Sequence, residues 1–144
     1  PFKAVYESNH RSVYLMTQRI QRHPYLAIFD GADPSTSTAT RMNSTTPLQA
    51  LYLLNDEFVH NQATGMANHL IAEFPDDVSR IERAWLQMYG RPAETDEKRE
   101  ATAFLAETRK LLQSEGEPME LLDQQCWQAF IRTLMRLNEF IYLD

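Results

Sequence analysis

The stretch Thr46-Pro47-Leu48-Gln49-Ala50-Leu51-Tyr52-Leu53-Leu54-Asn55-Asp56-Glu57-Phe58-Val59 decides the fold of this 144-residue chain. Thr46 followed three residues later by Gln49 is a capping box, and Pro47 suits the first helical position, where its missing N–H costs nothing. From there Leu48, Leu51, Tyr52, Phe58, Val59, Met66 and Leu70 recur at helical spacing, so a helix is expected from Pro47 to near Phe74-Pro75. Asn55 and Asp56 favour helix starts, and they mark a place where this helix can break or be capped again.

The same logic extends downstream. A second helix starts at Asp76 or Asp77, shows Val78, Ile81, Trp85, Leu86 and Met88 or Tyr89, and stops at Gly90 before Pro92. A third is capped by Thr95, has Ala101, Phe104, Leu105, Thr108, Leu111 and Leu112 on its apolar stripe, and stops at Gly116. A fourth opens at Pro118 and carries Leu121, Leu122, Cys126, Phe130, Leu134 and Leu137, with Asn138 to Asp144 continuing it or turning extended. Short connections favour antiparallel neighbours. The expectation is therefore an all-α fold: a small helical bundle of about four longer helices over residues 47–144, preceded by a loop-rich segment, residues 1–46.

That first segment is rich in Pro, Ser, Thr and Asn. Ser12 to Thr17 has the β-branched and aromatic content of a short extended stretch. His23 to Asp30 suits one or two helical turns with Pro24 first, and Gly31 to Thr46 is a long loop. Charge divides at the same boundary. Residues 1–46 carry net +2 and residues 47–144 carry net −8, giving −6 for the chain. A net-acidic chain is a poor general binder of nucleic acid. No apolar run reaches the ~18–20 residues of a membrane span. At this length the chain is one domain.

Chemistry is sparse. One cysteine excludes an internal disulfide, and Cys126 lies on an apolar stripe beside Trp127, as a buried structural thiol does. Of the four histidines, no two have metal-ligand spacing within one element, and no metal site or catalytic residue is assigned. Asp56 and His60, four apart, are placed to form a local ion pair. There is no Cys-x-x-Cys-His, so no c-type haem attaches within this chain. The acidic run Glu94 to Glu100 reads as a solvated helix start. The cluster that remains is polar and surrounds the long loop: Arg11, Asp30, Asp33, Arg41, Asn43, Asn55 and Asp56. Paired Asp residues near Arg suit acid–base work or an oxygen-ligand site; the competing role is to tie an irregular segment down by hydrogen bonds. Of these, Arg11, Asp30, Asp33, Arg41, Asn55 and Asp56 are the candidate ligand-binding residues.

Several motifs occur together in order: Arg11-Ser12-Val13-Tyr14-Leu15; Phe29-Asp30 with Asp33-Pro34 and Arg41; Thr45-Thr46-Pro47-Leu48-Gln49-Ala50-Leu51 running into Leu54-Asn55-Asp56; Gly90-Arg91-Pro92 with Glu97; and Asn138-Glu139-Phe140. In this the chain resembles the planctomycete-specific domain of unknown function 1553, of which it looks like the C-terminal portion. The resemblance adds Gln49 and Asn138 to the polar motif positions of interest. It implies a place in a secreted, multidomain bacterial protein, extracytoplasmic, with neighbouring domains of the same polypeptide as partners. It also implies that haem c, when present, sits in a neighbouring cytochrome c domain, and that carbohydrate is a candidate ligand. No activity comes with it. The expectation is a non-catalytic interaction or ligand-binding module; the alternative is part of an extracellular enzyme, for polysaccharide breakdown or haem-linked redox chemistry, with its polar loop site completed by segments outside this chain.

Overall fold

Residues 10–20, 22–40 and 44–141 are described by the computed structural model. Among them there are seven α-helices and no strand: α1 (Pro24–Ile28), α2 (Pro47–Asn55), α3 (Glu57–Glu73), α4 (Asp77–Tyr89), α5 (Thr95–Ser114), α6 (Met119–Leu134) and α7 (Asn138–Ile141). The fold is all-α, as the helical spacing requires. The chain divides into two compact units, with the boundary between Leu51 and Tyr52, inside α2.

The capping box at the start of α2 forms in both directions. Thr46 N–H donates to Gln49 Oε1 at 3.0 Å, and Gln49 N–H donates to Thr46 Oγ1 at 3.4 Å. The long helix anticipated from Pro47 breaks at Asp56, whose extended backbone and Oδ1, accepting from Phe58 N–H at 2.9 Å, start α3 afresh. Asp76 starts α4 in the same way by accepting from Ser79 N–H. Gly90 ends α4 with φ 71°, a left-handed conformation that an L side chain resists. Gly116, with φ 82°, closes α5 together with the Glu117 N–H bond back to Leu112.

Three local expectations are corrected. Ser12–Tyr14 is a 3-10 turn, not an extended stretch, because the Tyr14 and Leu15 N–H groups find the Arg11 and Ser12 carbonyls. The cap of α5 is Glu94, one residue before Thr95: the Glu94 carboxylate and the Glu97 side chain complete a reciprocal capping box. On α4, Val78 and Leu86 stand exposed, whereas Arg80 is buried. Val78 lies in the first turn, at the end of the bundle, and the long stem of Arg80 covers apolar surface while its head finds oxygen partners.

Within the second unit, α3, α4, α5 and α6 form a closed ring of neighbours, each touching the helix before and after it, with α3 meeting α6. Side-chain bonds establish direction. Gln128 reaches Thr64 while Gln124 reaches Asn68, so α3 and α6 run antiparallel. Arg109 reaches Asp123 while Cys126 reaches the Leu105 carbonyl, so α5 and α6 do too. Lys98 meets Glu82 and Arg109 meets Asp77, which makes α4 and α5 antiparallel. This is an up-down-up-down four-helix bundle. Its core is asymmetric. Helix α3 contributes Ala63, Ala67 and Leu70, while α6 contributes Cys126, Trp127, Phe130, Ile131 and Leu134. Small residues on one helix admit the bulky ones of its neighbour. Phe130 is the hub, with ring centroids 5.5 Å from Trp127, 5.6 Å from Phe104 and 5.9 Å from Trp85.

Candidate functional site

In the first unit Asp30, Asp33 and Gln49 bind groups of nearby turns and helix ends. Helix α1 ends at Ile28, and Asp30 follows with φ 53°, the one non-glycine residue described with positive φ. This αL position turns the Asp30 carboxylate to Ser44, whose N–H donates at 2.8 Å and whose hydroxyl donates at 2.8–2.9 Å. Gln49, buried at 8% exposure, donates through Nε2 to the Ile28 carbonyl at 2.9 Å and comes within 3.5 Å of Asp30 Oδ2. Asp30, Ser44 and Gln49 thus clasp the end of α1 to the start of α2. Arg22 donates to the Gly31 carbonyl, and Ser35 Oγ donates to the Arg19 carbonyl at 3.0 Å.

Asp33 is exposed and accepts from Ser35 N–H at 2.8 Å, an Asx turn. Its carboxylate and that of Asp30 therefore take different partners, Ser35 and Ser44. Arg11 is exposed. Arg41 and Asn43 lie outside the described residues. Asn55 ends α2 and is exposed; Asp56 caps α3. The anticipated Asp56–His60 ion pair gives way to other bonds. His60 Nε2 donates to the Leu54 carbonyl at 2.9 Å, because Asp56 is already committed to Phe58 N–H.

The charged networks of the second unit join helices distant in sequence. Arg109 forks onto both oxygens of Asp77 at 2.6 and 2.8 Å and reaches Asp123 at 2.7 Å. Arg80 adds a 3.1 Å bond to Asp123 and one of 2.8 Å to the Phe74 carbonyl. Trp127 Nε1–H donates to Asp77 at 3.2 Å. The Arg109 guanidinium holds the Asp77 carboxyl below its ordinary range. At the opposite end of α4, Arg91 binds Glu97 at 2.6 and 2.8 Å and Glu139 at 2.7 Å through two nitrogens. It thereby ties the Gly90-Arg91-Pro92 turn to α5 and α7. The Arg91 guanidinium, aided by Glu94 N–H, brings the Glu97 carboxyl down to about 2. The Glu94 to Glu100 run is a helix start, and Glu97 within it is a structural ion-pair partner.

A general acid needs a carboxyl whose proton is retained near working pH. Asp77, Glu97 and Glu139 are shifted the other way, each chiefly by its arginine. The Cys126 thiol is fully buried, donates to the Leu105 carbonyl at 3.4 Å and is pushed up to about 11 by burial, which makes it a poor nucleophile. Among the described residues no group of three or more His, Cys, Asp and Glu is placed to hold a metal ion. No helix among them is long and apolar enough to cross a membrane.

One polar feature lay outside the sequence reading. Arg132, in the last turn of α6, and Arg136, just beyond it, each bury an Nε that has no hydrogen-bond partner among the described residues. Arg136 also reaches the Leu54 carbonyl, at 3.5 Å, the same oxygen that His60 holds. A pair of basic residues four apart near a helix C-terminus was visible as a pattern, but it also suits a favourable interaction with the helix dipole.

No curated protein and no solved structure matches the chain. Residues 3–105 match a family described as a protein of unknown function (DUF1553). The match takes in the first unit, the Thr46–Val59 stretch and the Gly90-Arg91-Pro92 turn with Glu97, and it stops short of Asn138-Glu139-Phe140. With more than half of its length matched, the chain belongs to this DUF1553 family of unknown function.

Proposed function

We propose that the chain is a non-catalytic interaction module of an extracytoplasmic, multidomain planctomycete-type protein, and that its partners are neighbouring domains of the same polypeptide. The observation that carries this reading is a division of labour among side chains. The acidic groups Asp30, Asp33, Asp56, Asp77, Glu97 and Asp123 are engaged in turns, caps and ion pairs. Large apolar side chains stand in solvent, among them Ile20 at 100%, Tyr14 at 70% and Met119 at 77% exposure. Large apolar side chains left exposed in this way are available for a docking partner to cover. The multidomain context, with haem c in a neighbouring domain, belongs to the same proposal.

The test is to express the neighbouring domains of the full-length protein separately and titrate them with this chain by calorimetry. The expected result is saturable binding by at least one domain. Absence of binding to all of them, together with reducing-sugar release from a polysaccharide panel that Asp30→Asn abolishes, would replace this reading with the enzymatic one. A signal peptide and a Cys-x-x-Cys-His motif in the full-length coding sequence are the expected marks of the compartment and of the haem domain.

A further inference from the structure

The partly buried arginines of the four-helix unit fall into two groups. Arg80, Arg91 and Arg109 each hold carboxylates at 3.1 Å or closer. Arg132 and Arg136 hold none among the described residues, and the Nε–H of each points into protein without an acceptor. They are one helical turn apart, so the two like charges face the same region. Burial, and then the charge of Arg132, act against the charged form of Arg136. An uncompensated, partly desolvated pair of cations is costly until an anion joins it. Interaction with the helix dipole does not account for this, since it is satisfied by head groups left in water.

The surroundings select the anion. Leu54, to whose carbonyl Arg136 reaches, is exposed, as are Phe58 in the first turn of α3 and Leu137 beside Arg136. Guanidinium groups recognise carboxylates with directional, paired bonds, and exposed leucine and phenylalanine side chains recognise apolar ones. A long polyanion would meet a chain whose net charge is −6; a short segment avoids it.

We propose that Arg132 and Arg136, rimmed by Leu54, Phe58 and Leu137, form a docking site for an acidic, amphipathic segment of a protein partner. Two carboxylates spaced one helical turn apart pair with the guanidinium groups, and neighbouring leucines rest on the apolar rim. This deepens the interaction-module reading and rests on it for the identity of the partner, but not for the existence of the site.

The test uses the whole chain and a fluorescein-labelled amphipathic peptide with Glu at two positions four apart flanked by Leu. Anisotropy should show saturable binding that weakens at least tenfold for the R132Q/R136Q variant, for a Glu→Gln peptide, and on raising salt from 50 to 500 mM. Thermal melts of the variant should show a transition no lower than that of the parent, since it removes a repulsion and no ion pair. The charge-reversed R132E/R136E variant should bind the corresponding Lys peptide. Equal binding by parent and R132Q/R136Q, or binding indifferent to the peptide's charge, overturns the site. So does a variant melting well below the parent, which would assign these arginines a structural role. Inorganic sulfate competing as well as the peptide, at equal concentration, would reduce the site to a small-anion site and overturn the docking proposal. If a neighbouring domain binds equally to parent and R132Q/R136Q, this site fails while the interaction-module reading stands.

Discussion

The two units of this chain are held by different forces. In the second unit, from Tyr52 onward, Trp127, Leu70, Ile81, Leu105 and Ile131 are almost wholly removed from water. In the first, among the described residues, the one buried side chain is Gln49, and order comes from the Asp30–Ser44–Gln49 clasp and from side chains that hold carbonyls. A fully buried large apolar side chain contributes about 1.5–3 kcal/mol, whereas a hydrogen bond exchanged with water contributes about 0.5–1.5 kcal/mol net. The second unit therefore has the interactions of a cooperative domain. The first has those of a segment whose conformation is specified locally, bond by bond.

The sharpest way to break this contrast is to attack the aromatic hub. Trp127→Ala leaves a large void beside Phe130 and frees Asp77 of one donor, so it should cost about 3–5 kcal/mol. Urea unfolding followed by helical circular dichroism checks this; a loss under about 1 kcal/mol would mean that the bundle core is not cooperative. Arg109→Met comes next. It strips the forked partner from Asp77 and the nearer partner from Asp123, leaving Arg80 to serve both. The site is partly solvated, so about 2 kcal/mol is the expected loss, below the range for a fully buried pair.

Acid should act on the second unit by a defined route. Glu97, Glu139 and Asp77 titrate lower in the folded chain than in the unfolded one. Their contribution is complete above the ordinary carboxylate range and is lost as pH falls through that range toward the folded value, about 2 for Glu97. Thermal midpoints should accordingly drop between about pH 4.5 and pH 2. Arg91→Met should be less stable near neutrality and show a shallower acid loss, because the partner that lowers Glu97 is gone. A parallel pH profile for the two proteins would remove the Arg91 network from the account. The smallest global effect is expected for Asp30→Ala. It removes the acceptor of Ser44, and the unfolding free energy of the bundle should change by less than about 1 kcal/mol. Amide exchange at Ser44 should nevertheless accelerate. A large shift in the bundle's midpoint would erase the distinction between the units.

Much of the bundle was legible in the sequence because helix ends are local. Thr46 with Gln49, Asp56, Asp76, Gly90 and Gly116 act on backbone groups within a few residues of themselves, so their roles follow from type and spacing. The misplacement of the α5 cap by one residue has a local cause as well: Thr95 and Glu94 both suit the position, and the reciprocal bond with Glu97 decides in favour of Glu94. The polar residues of the first segment were conspicuous for their type, and two of them, Asp33 and Asp56, serve an Asx turn and a helix cap. Those are the roles that short polar side chains take most readily.

The sequence by itself determined that this chain is all-α, where its main helices start and stop, and that Cys126 is an interior residue. Those properties depend on backbone hydrogen bonding and on the 3.6-residue period, and both are short-range. Tertiary structure alone decided that Arg80 would be buried while Val78 is not, and that Asp77, Arg109 and Asp123 would meet from three helices. It also decided that Arg91 would bridge Glu97 and Glu139, while Arg132 and Arg136 would be left without carboxylates among the described residues. Each of those outcomes depends on which helix faces pack together, and a charge's partner across such a face carries no signature in its own neighbourhood of the chain.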